Sequence, residues 1–305
     1  MMRGKDLISI RDLDKAEIEH LMKRAAEMDK LLAAGKPPPL LKNKIVATLF
    51  FEPSTRTKMS FHAAIERLGA QILDLTSIES SSLKKGESLA DTLRMVDGYS
   101  NLVIQRIAIE GAARFAAEIC QNPVINAGDG GNQHPTQTLL DLYTIKKLKG
   151  KISGLDVCMI GDLKYARTMR SLLYGLSMFG ANLTLVAPEG LEMNPAVVKE
   201  AKERFGANIS EMSKLDLSKA DVAYACRIQK ERFADQYEAE KVQKRFRITA
   251  DALKGVKDSL ILMHPLPKID EMEVAIDDTK YAKYFEQAQN GVPMRMALMA
   301  EIMGA

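Results

Sequence analysis

Residues 45–58 read Ile45-Val46-Ala47-Thr48-Leu49-Phe50-Phe51-Glu52-Pro53-Ser54-Thr55-Arg56-Thr57-Lys58. The run Ile45 to Phe51 is almost wholly apolar and stops at Glu52-Pro53, as a strand covered on both faces of a parallel sheet does. The next parallel strand can be reached only through a crossover, usually a helix, so the strand-helix pattern should recur along the chain. It does. Upstream, Asp14 to Gly35 places Ile18, Leu21, Met22, Ala25, Met28, Leu31 and Leu32 on one helical face, with Asp12 or Asp14 as N-cap, before Pro37, Pro38 and Pro39 break the chain. Downstream, helices are expected at Lys58–Leu68, Glu87–Val96 and Gly111–Ile119, and strands at Gln71–Leu75, Leu102–Gln105 and Val124–Asn126.

A helix from Pro135 to Lys147 leads into a Lys/Gly-rich stretch, after which the alternation restarts. Strands are expected at Asp156–Ile160, Leu183–Val186, Ala207–Glu211, Val222–Cys226 and Leu260–Met263, helices at Arg167–Met178 and Pro195–Phe205, and a closing helix at Arg295–Met303. The fold class is therefore α/β, with two doubly wound parallel-sheet domains facing one cleft and linked by helices. The length of 305 residues agrees with two domains.

Composition narrows the function. Hydrophobic residues at 46% and charged residues at 27% describe an ordinary globular protein, and a net charge of +3 is too mild to indicate nucleic acid or a membrane surface. Cys120, Cys158 and Cys226 are odd in number and far apart, which suggests neither a disulfide framework nor a zinc site and suits a reducing cytoplasm. No apolar run approaches the ~18 residues of a membrane span. None of the four histidines sits at metal-ligand spacing, so no metal is expected. The P-loop pattern is absent, and Gly128-Asp129-Gly130-Gly131 lacks the third glycine of a dinucleotide fingerprint, so neither ATP nor NAD is expected as a cofactor. No GxSxG elbow or cysteine at a helix start points to a covalent nucleophile.

What remains is chemistry on anions at the carboxyl ends of the strands, where ligands of open α/β sheets bind. In Glu52–Lys58 a helix N-terminus, three hydroxyls and the planar cation of Arg56 suit a phosphate, although Ser54 as a plain cap with Arg56 in solvent would also satisfy the pattern. His134 and Gln137 follow the glycine cluster at a second strand-to-helix turn. Arg106, Arg167 and Arg227 each follow a strand, a shared placement that points to one cleft. Ser80 to Glu87 adds hydroxyls, Lys84 and Lys85, and its spacing alone favours a solvated loop.

Phe51 to Thr57, Asn132-Gln133-His134-Pro135-Thr136-Gln137, Gly161-Asp162-Leu163-Lys164-Tyr165 with Arg167, and His264-Pro265-Leu266-Pro267 together resemble the catalytic chains of the aspartate carbamoyltransferase family, in family order and almost end to end. The first motif is shared by transcarbamoylases in general. Arg227 to Arg232 and His264 to Pro267 mark the aspartate branch, whereas the ornithine branch typically carries a cysteine in the latter motif and a Ser-Met-Gly loop in place of the former.

The resemblance implies a carbamoyl-phosphate domain (1–134 with the returning helix 291–305), an aspartate domain (135–290) and a homotrimer with shared sites. It leaves open a separate regulatory chain. The implied reaction moves the carbamoyl group of carbamoyl phosphate to the amino group of L-aspartate, an early step of pyrimidine synthesis, with no cofactor. By the same resemblance Ser54, Thr55, Arg56, Thr57 and Arg106 bind phosphate. Thr57, Arg106 and His134 meet the carbonyl oxygen, and Gln137 with the carbonyls of Leu266 and Pro267 holds the carbamoyl NH2. Ser81 and Lys85 reach the neighbouring subunit's site, and Lys85, Arg167, Arg227 and Gln229 fix the two carboxylates of aspartate. Domain closure would pair Glu52 with Arg167 and Arg232. Ile107, Ala108, Ala166 and Lys58 depart from the usual family residues without removing a contact. Two other readings stand beside this one: a transcarbamoylase with another amine acceptor, and an anion-binding homologue without turnover, which would be marked by loss of Arg56, Arg106, His134 or Lys85.

Overall fold

The computed structural model describes residues 2–77, 82–228 and 246–305. The run at residue 45 is a strand, β1 (Ile45–Phe50), with every residue after Ile45 buried. With β2 (Gln71–Leu75), β3 (Leu102–Ile107) and β4 (Val124–Asp129) it forms a four-stranded parallel sheet in the order β2-β1-β3-β4. The helices of this unit are α1 (Lys15–Ala33), α2 (Thr55–Arg67), α3 (Leu89–Tyr99), α4 (Ala112–Ile119) and the start of α5 (Pro135–Lys149). Asp14 caps α1 and Glu17 returns the bond, a reciprocal box that satisfies two otherwise orphaned N–H groups.

The second sheet is also parallel: β5 (Asp156–Ile160), β6 (Asn182–Val186), β7 (Asn208–Met212), β8 (Val222–Ala225) and β9 (Ile261–Met263) lie in the order β7-β6-β5-β8-β9. The helices α6 (Arg167–Met178), α7 (Pro195–Phe205) and the short α8 (Tyr284–Gln289) accompany it. The final helix, α9 (Gly291–Met303), packs on α1 and α2 of the first unit. The two compact units are Met1–Tyr143 with Gln289–Ala305, and Thr144–Ala288. Each has an apolar core built on its sheet. Ala47, Leu49, Val103 and Val124 sit beneath α3 and α4 in the first, and Ile160, Val186, Ala223 and Leu262 belong to that of the second. A fully buried side chain of the larger kinds contributes about 1.5–3 kcal/mol. No helix among the described residues is long and apolar enough to cross a membrane.

Strand order determines where a ligand can sit. From β1 the chain moves outward to β2, then crosses back to β3 on the other side, which makes the carboxyl ends of β1 and β3 a switch point. In the second sheet the same reversal falls between β5 and β8.

Several boundaries differ from the sequence pattern. Helix α2 begins at Thr55 rather than Lys58, because the hydroxyl-rich turn is already its first turn. Strand β3 continues through Arg106 to Ile107, and β4 through Gly128 to Asp129, since ladder pairing with a neighbour continues past the apolar residues. Leu31, expected on the buried face of α1, is 37% exposed, because the core ends below the last turn of the helix.

Candidate active site

The register of β1 against β3 places Phe50 opposite Arg106, and the Phe51 N–H donates to the Arg106 carbonyl at 2.9 Å. One sheet edge therefore carries both the start of α2 and the guanidinium of Arg106. Ser54 stands at the N-cap, yet its hydroxyl makes no capping bond, so the plain-cap alternative is not the one adopted. The first intrahelical bond runs from the Lys58 N–H to the Ser54 carbonyl. The N–H groups of Thr55, Arg56 and Thr57 thus have no acceptor within the helix, and they carry the positive end of its dipole. Thr57 is buried and Arg56 is exposed. Partial desolvation lowers the pKa of Arg56 from the ordinary arginine value.

Arg106 is buried and held on two sides. Nη2 donates to Glu52 Oε1 at 3.0 Å and Nη1 to the Ala127 carbonyl at 3.3 Å. That carbonyl is available because β4 spends one extra residue beside Arg106: Gln105 pairs with Asn126, but Ile107 pairs with Asp129. Such irregularities re-aim side chains beside functional sites. Ile107 is buried as the last residue of the strand, so this departure from the family pattern is a core residue. Gly130 closes over the same loop. At its φ of +52° a Cβ would stand 2.7 Å from the Ala108 carbonyl oxygen.

Asp129, which the sequence reading did not single out, organises the turn leading to His134. Its buried carboxylate accepts from the Gly111 N–H (3.1 Å), Asn126 Nδ2 (2.9 Å), Asn132 Nδ2 (3.0 Å) and the Gln133 N–H (3.0 Å). An acid between glycines and followed by Asn and Gln was the available signal. His134 is 3% exposed just ahead of α5, where its carbonyl accepts from the N–H of Gln137 (3.1 Å) and of Thr138 (3.2 Å). Gln137, on the first turn of α5, is also buried, and its Nε2 donates to Asp141 Oδ1 at 2.9 Å. Lys85 is exposed at the end of the 3-10 turn Ser82–Lys85, while Ser81 lies outside the described residues.

In the second unit, Ile160 pairs with Ala225, and the Cys226 N–H donates to the Ile160 carbonyl at 2.8 Å. Gly161 follows at φ +113°, and a Cβ there would stand 2.2 Å from the Cys226 carbonyl oxygen, so only glycine fits. Asp162, fully buried, accepts from the Tyr165 N–H at 2.9 Å and shapes the loop that delivers Arg167 as the first residue of α6. Ala166 adopts φ −79°, open to any residue, so its replacement of glycine costs nothing there. Arg227 directly follows Cys226 and is half-buried. Gln229 and Arg232 lie outside the described residues.

After β9 the turn His264–Pro267 is tied at several points. The His264 N–H donates to Gln287 Oε1 (2.8 Å), and the Leu266 N–H donates to His264 Nδ1 (2.8 Å). With Nδ1 accepting, a neutral His264 carries its proton on Nε2, 3.0 Å from Glu271 Oε1. Glu271 also accepts from the Ile269 N–H, at 3.1 and 3.2 Å. The Leu266–Pro267 bond is cis and Leu266 sits at φ +57°, a left-handed conformation that these bonds sustain.

Chemically, the first unit offers N–H groups, hydroxyls, two arginines and a buried histidine, a set suited to a phosphorylated acyl compound. The second offers cations at two strand ends, suited to carboxylates. Among the described residues no group of three or more His, Cys, Asp or Glu is placed to hold a metal ion.

Residues 5–147 match the family described as aspartate/ornithine carbamoyltransferase, carbamoyl-P binding domain, and residues 153–302 the family described as aspartate/ornithine carbamoyltransferase, Asp/Orn binding domain. The chain is 49% identical over 304 residues to the aspartate carbamoyltransferase catalytic subunit of Archaeoglobus fulgidus, covering 99% of this chain and 100% of that one. Among solved structures it is similar to the catalytic subunit of M. jannaschii aspartate transcarbamoylase, with a TM-score of 0.92, 44% identity and coverage of 100% and 98%. It is also similar to the Trypanosoma cruzi aspartate transcarbamoylase in complex with carbamoyl phosphate and aspartate, with a TM-score of 0.93, 36% identity and coverage of 99% and 98%.

Proposed function

The chain belongs to the aspartate/ornithine carbamoyltransferase family, and we propose that it transfers the carbamoyl group of carbamoyl phosphate to the amino group of L-aspartate, giving N-carbamoyl-L-aspartate and phosphate for pyrimidine synthesis. The observation that carries this reading is the pairing of Phe50 with Arg106, which sets the open N-terminus of α2 beside a buried guanidinium at the switch point of the first sheet.

Carbamoyl phosphate is assigned to the first unit. Ser54, Thr55, Arg56, Thr57 and Arg106 take the phosphate, whose charge matches the helix end and the arginines. Thr57, Arg106 and His134 face the carbonyl oxygen, and Gln137 with the Leu266 and Pro267 carbonyls accepts from the carbamoyl NH2. Aspartate is assigned to Arg167, Arg227, Gln229 and Lys85, which meet its two carboxylates. The neutral amine attacks the carbamoyl carbon, negative charge gathers on the carbonyl oxygen where those donors stabilise it, and the C–O bond to phosphate breaks as the departing phosphate takes the amine proton. Orientation of the two substrates lowers the barrier further, a contribution that reaches about 7–11 kcal/mol in well-ordered systems.

Ser81 and Lys85 act in a neighbouring subunit's site, which makes the working form a homotrimer. A cytoplasmic location suits the three free thiols. The test is product formation from carbamoyl phosphate with aspartate and, separately, with ornithine, together with the mass of the assembly in solution. Carbamoyl aspartate alone, from a trimer, is expected. Carbamoyl ornithine would shift the reading to the other acceptor, and absence of product from folded protein would refute turnover.

A further inference from the structure

Gln137 carries an amide whose two ends have nearly the same shape and opposite hydrogen-bonding character: Oε1 accepts and Nε2 donates. Which end faces a ligand decides what the side chain can recognise. Asp141 lies one turn further along α5, fully buried, and accepts from Gln137 Nε2 at 2.9 Å. A carboxylate only accepts, so turning the amide round would set oxygen against oxygen beside a buried carboxylate. Oε1 is left as the end directed elsewhere.

We propose that Asp141 is a positioning residue that fixes the Gln137 amide with its oxygen toward the carbamoyl group, making the site select the amino group of carbamoyl phosphate over isosteres that lack a donor. This rests on the reading above that Gln137 meets the carbamoyl NH2.

A second buried group feels the same carboxylate. Arg295, on α9 and 2% exposed, stacks its guanidinium 4.8 Å from the Phe61 ring centroid, and Gly291 leaves it room, since a Cβ there would stand 2.2 Å from Arg295 Nη1. Burial pulls the pKa of Arg295 down to about 10 while the negative field of Asp141 works against the fall, so it remains a cation at neutral pH. The charge of Asp141 thus also acts on a cation carried by the last helix.

The test uses the whole protein and three probes: carbamoyl phosphate, acetyl phosphate (a methyl in place of the amino group) and inorganic phosphate. Asp141→Asn is isosteric but can donate as well as accept. It is expected to lower the preference for carbamoyl over acetyl phosphate on the order of tenfold, about one hydrogen bond, with inorganic phosphate binding within roughly twofold. Gln137→Met, measured alongside, should lower the same preference. An unchanged preference in D141N with a reduced one in Q137M overturns the role of Asp141 alone, whereas an unchanged preference in Q137M overturns the reading of Gln137 itself. Equal weakening of all three probes in D141N would make Asp141 mere packing and also overturn the proposal. Should D141N fail to fold, the unaltered protein still decides. The Gln137 side-chain NH2, assigned in NMR spectra by its loss in Q137M, should exchange slowly with water, and exchange at the rate of an exposed glutamine overturns the proposal.

Discussion

Arg106 Nη2 and Glu52 Oε1 lie 3.0 Å apart, so the arginine at the end of β3 is held by a carboxylate from the turn after β1, the same turn that opens the phosphate-binding helix. A phosphate arriving at Arg106 competes with that carboxylate. The E52Q variant removes the competing charge while keeping the shape. Inorganic phosphate should then bind about two- to fivefold more tightly, in line with about 0.5–1 kcal/mol for a partly exposed pair. Calorimetric titration would show it, and weaker binding would mean that Glu52 serves chiefly to aim Arg106.

Arg56 and Arg227 should separate the two substrates. R56A is expected to weaken carbamoyl phosphate by about ten- to a hundredfold, the range for a charge-assisted contact, with little change in melting temperature because the side chain is exposed. R227A should leave the dissociation constant of carbamoyl phosphate unaltered and raise the KM for aspartate. Direct binding followed by steady-state kinetics tests both, and a shared effect on both substrates in R227A would contradict the division.

Gly161 is the position where a single methyl group should do most harm in the second unit. G161A drives a Cβ to 2.2 Å from the Cys226 carbonyl oxygen at a φ of +113°. A loss of about 2–4 kcal/mol is expected in denaturant unfolding. The parted ends of β5 and β8 should also displace Arg227, seen as a raised KM for aspartate in whatever fraction remains folded.

Glu271 ties stability to pH. Burial pushes its pKa up, but the hydrogen bonds from His264 and the Ile269 N–H outweigh that and hold it below its ordinary value of 4.5. A carboxylate depressed in the folded state stabilises at pH above the unfolded value, and that stability is lost as the pH falls through the folded pKa. Between neutral pH and about 4.5 the contribution is complete, and below that it declines. Melting temperatures from pH 7 to pH 3 should therefore fall less steeply below 4.5 for E271Q than for the parent. Parallel curves would show that another carboxylate carries the acid sensitivity.

The thiols should be silent in the native protein. Burial raises Cys120 and Cys158 to about 12 and pushes Cys226 up as well, so the reactive thiolate is scarce at pH 8. Iodoacetamide should leave activity unaltered over hours and label all three cysteines once denaturant is added. Rapid loss of activity on alkylation of the native form would refute this.

The sheet layout was legible where buried parallel strands are written as apolar runs, as in Asp156–Ile160, and the mostly exposed edge strand Gln71–Leu75 also begins and ends where the pattern places it. Strand ends were less visible. Arg106 and Asp129 lie within strands whose closing residues pair through the backbone, a bond that side-chain polarity does not announce. Ser54 to Thr57 was found by its hydroxyls and cation, but its place inside the first turn of α2 depended on cap geometry. Asp129, Asp141 and Glu271 went unmarked because each acts on a neighbouring side chain or N–H, and an isolated acid in a sequence looks the same whether it faces water or a buried amide.

Because Gln289–Ala305 belongs to the first unit, that unit is written in two instalments with all of Thr144–Ala288 between them. During synthesis a ribosome releases β1 to β4 and α1 long before the helix that covers α1 and α2 exists. The second unit has all its strands in hand first. The apolar surfaces awaiting α9 stay uncovered until the whole of the second unit has been made, an interval in which they are open to wrong contacts.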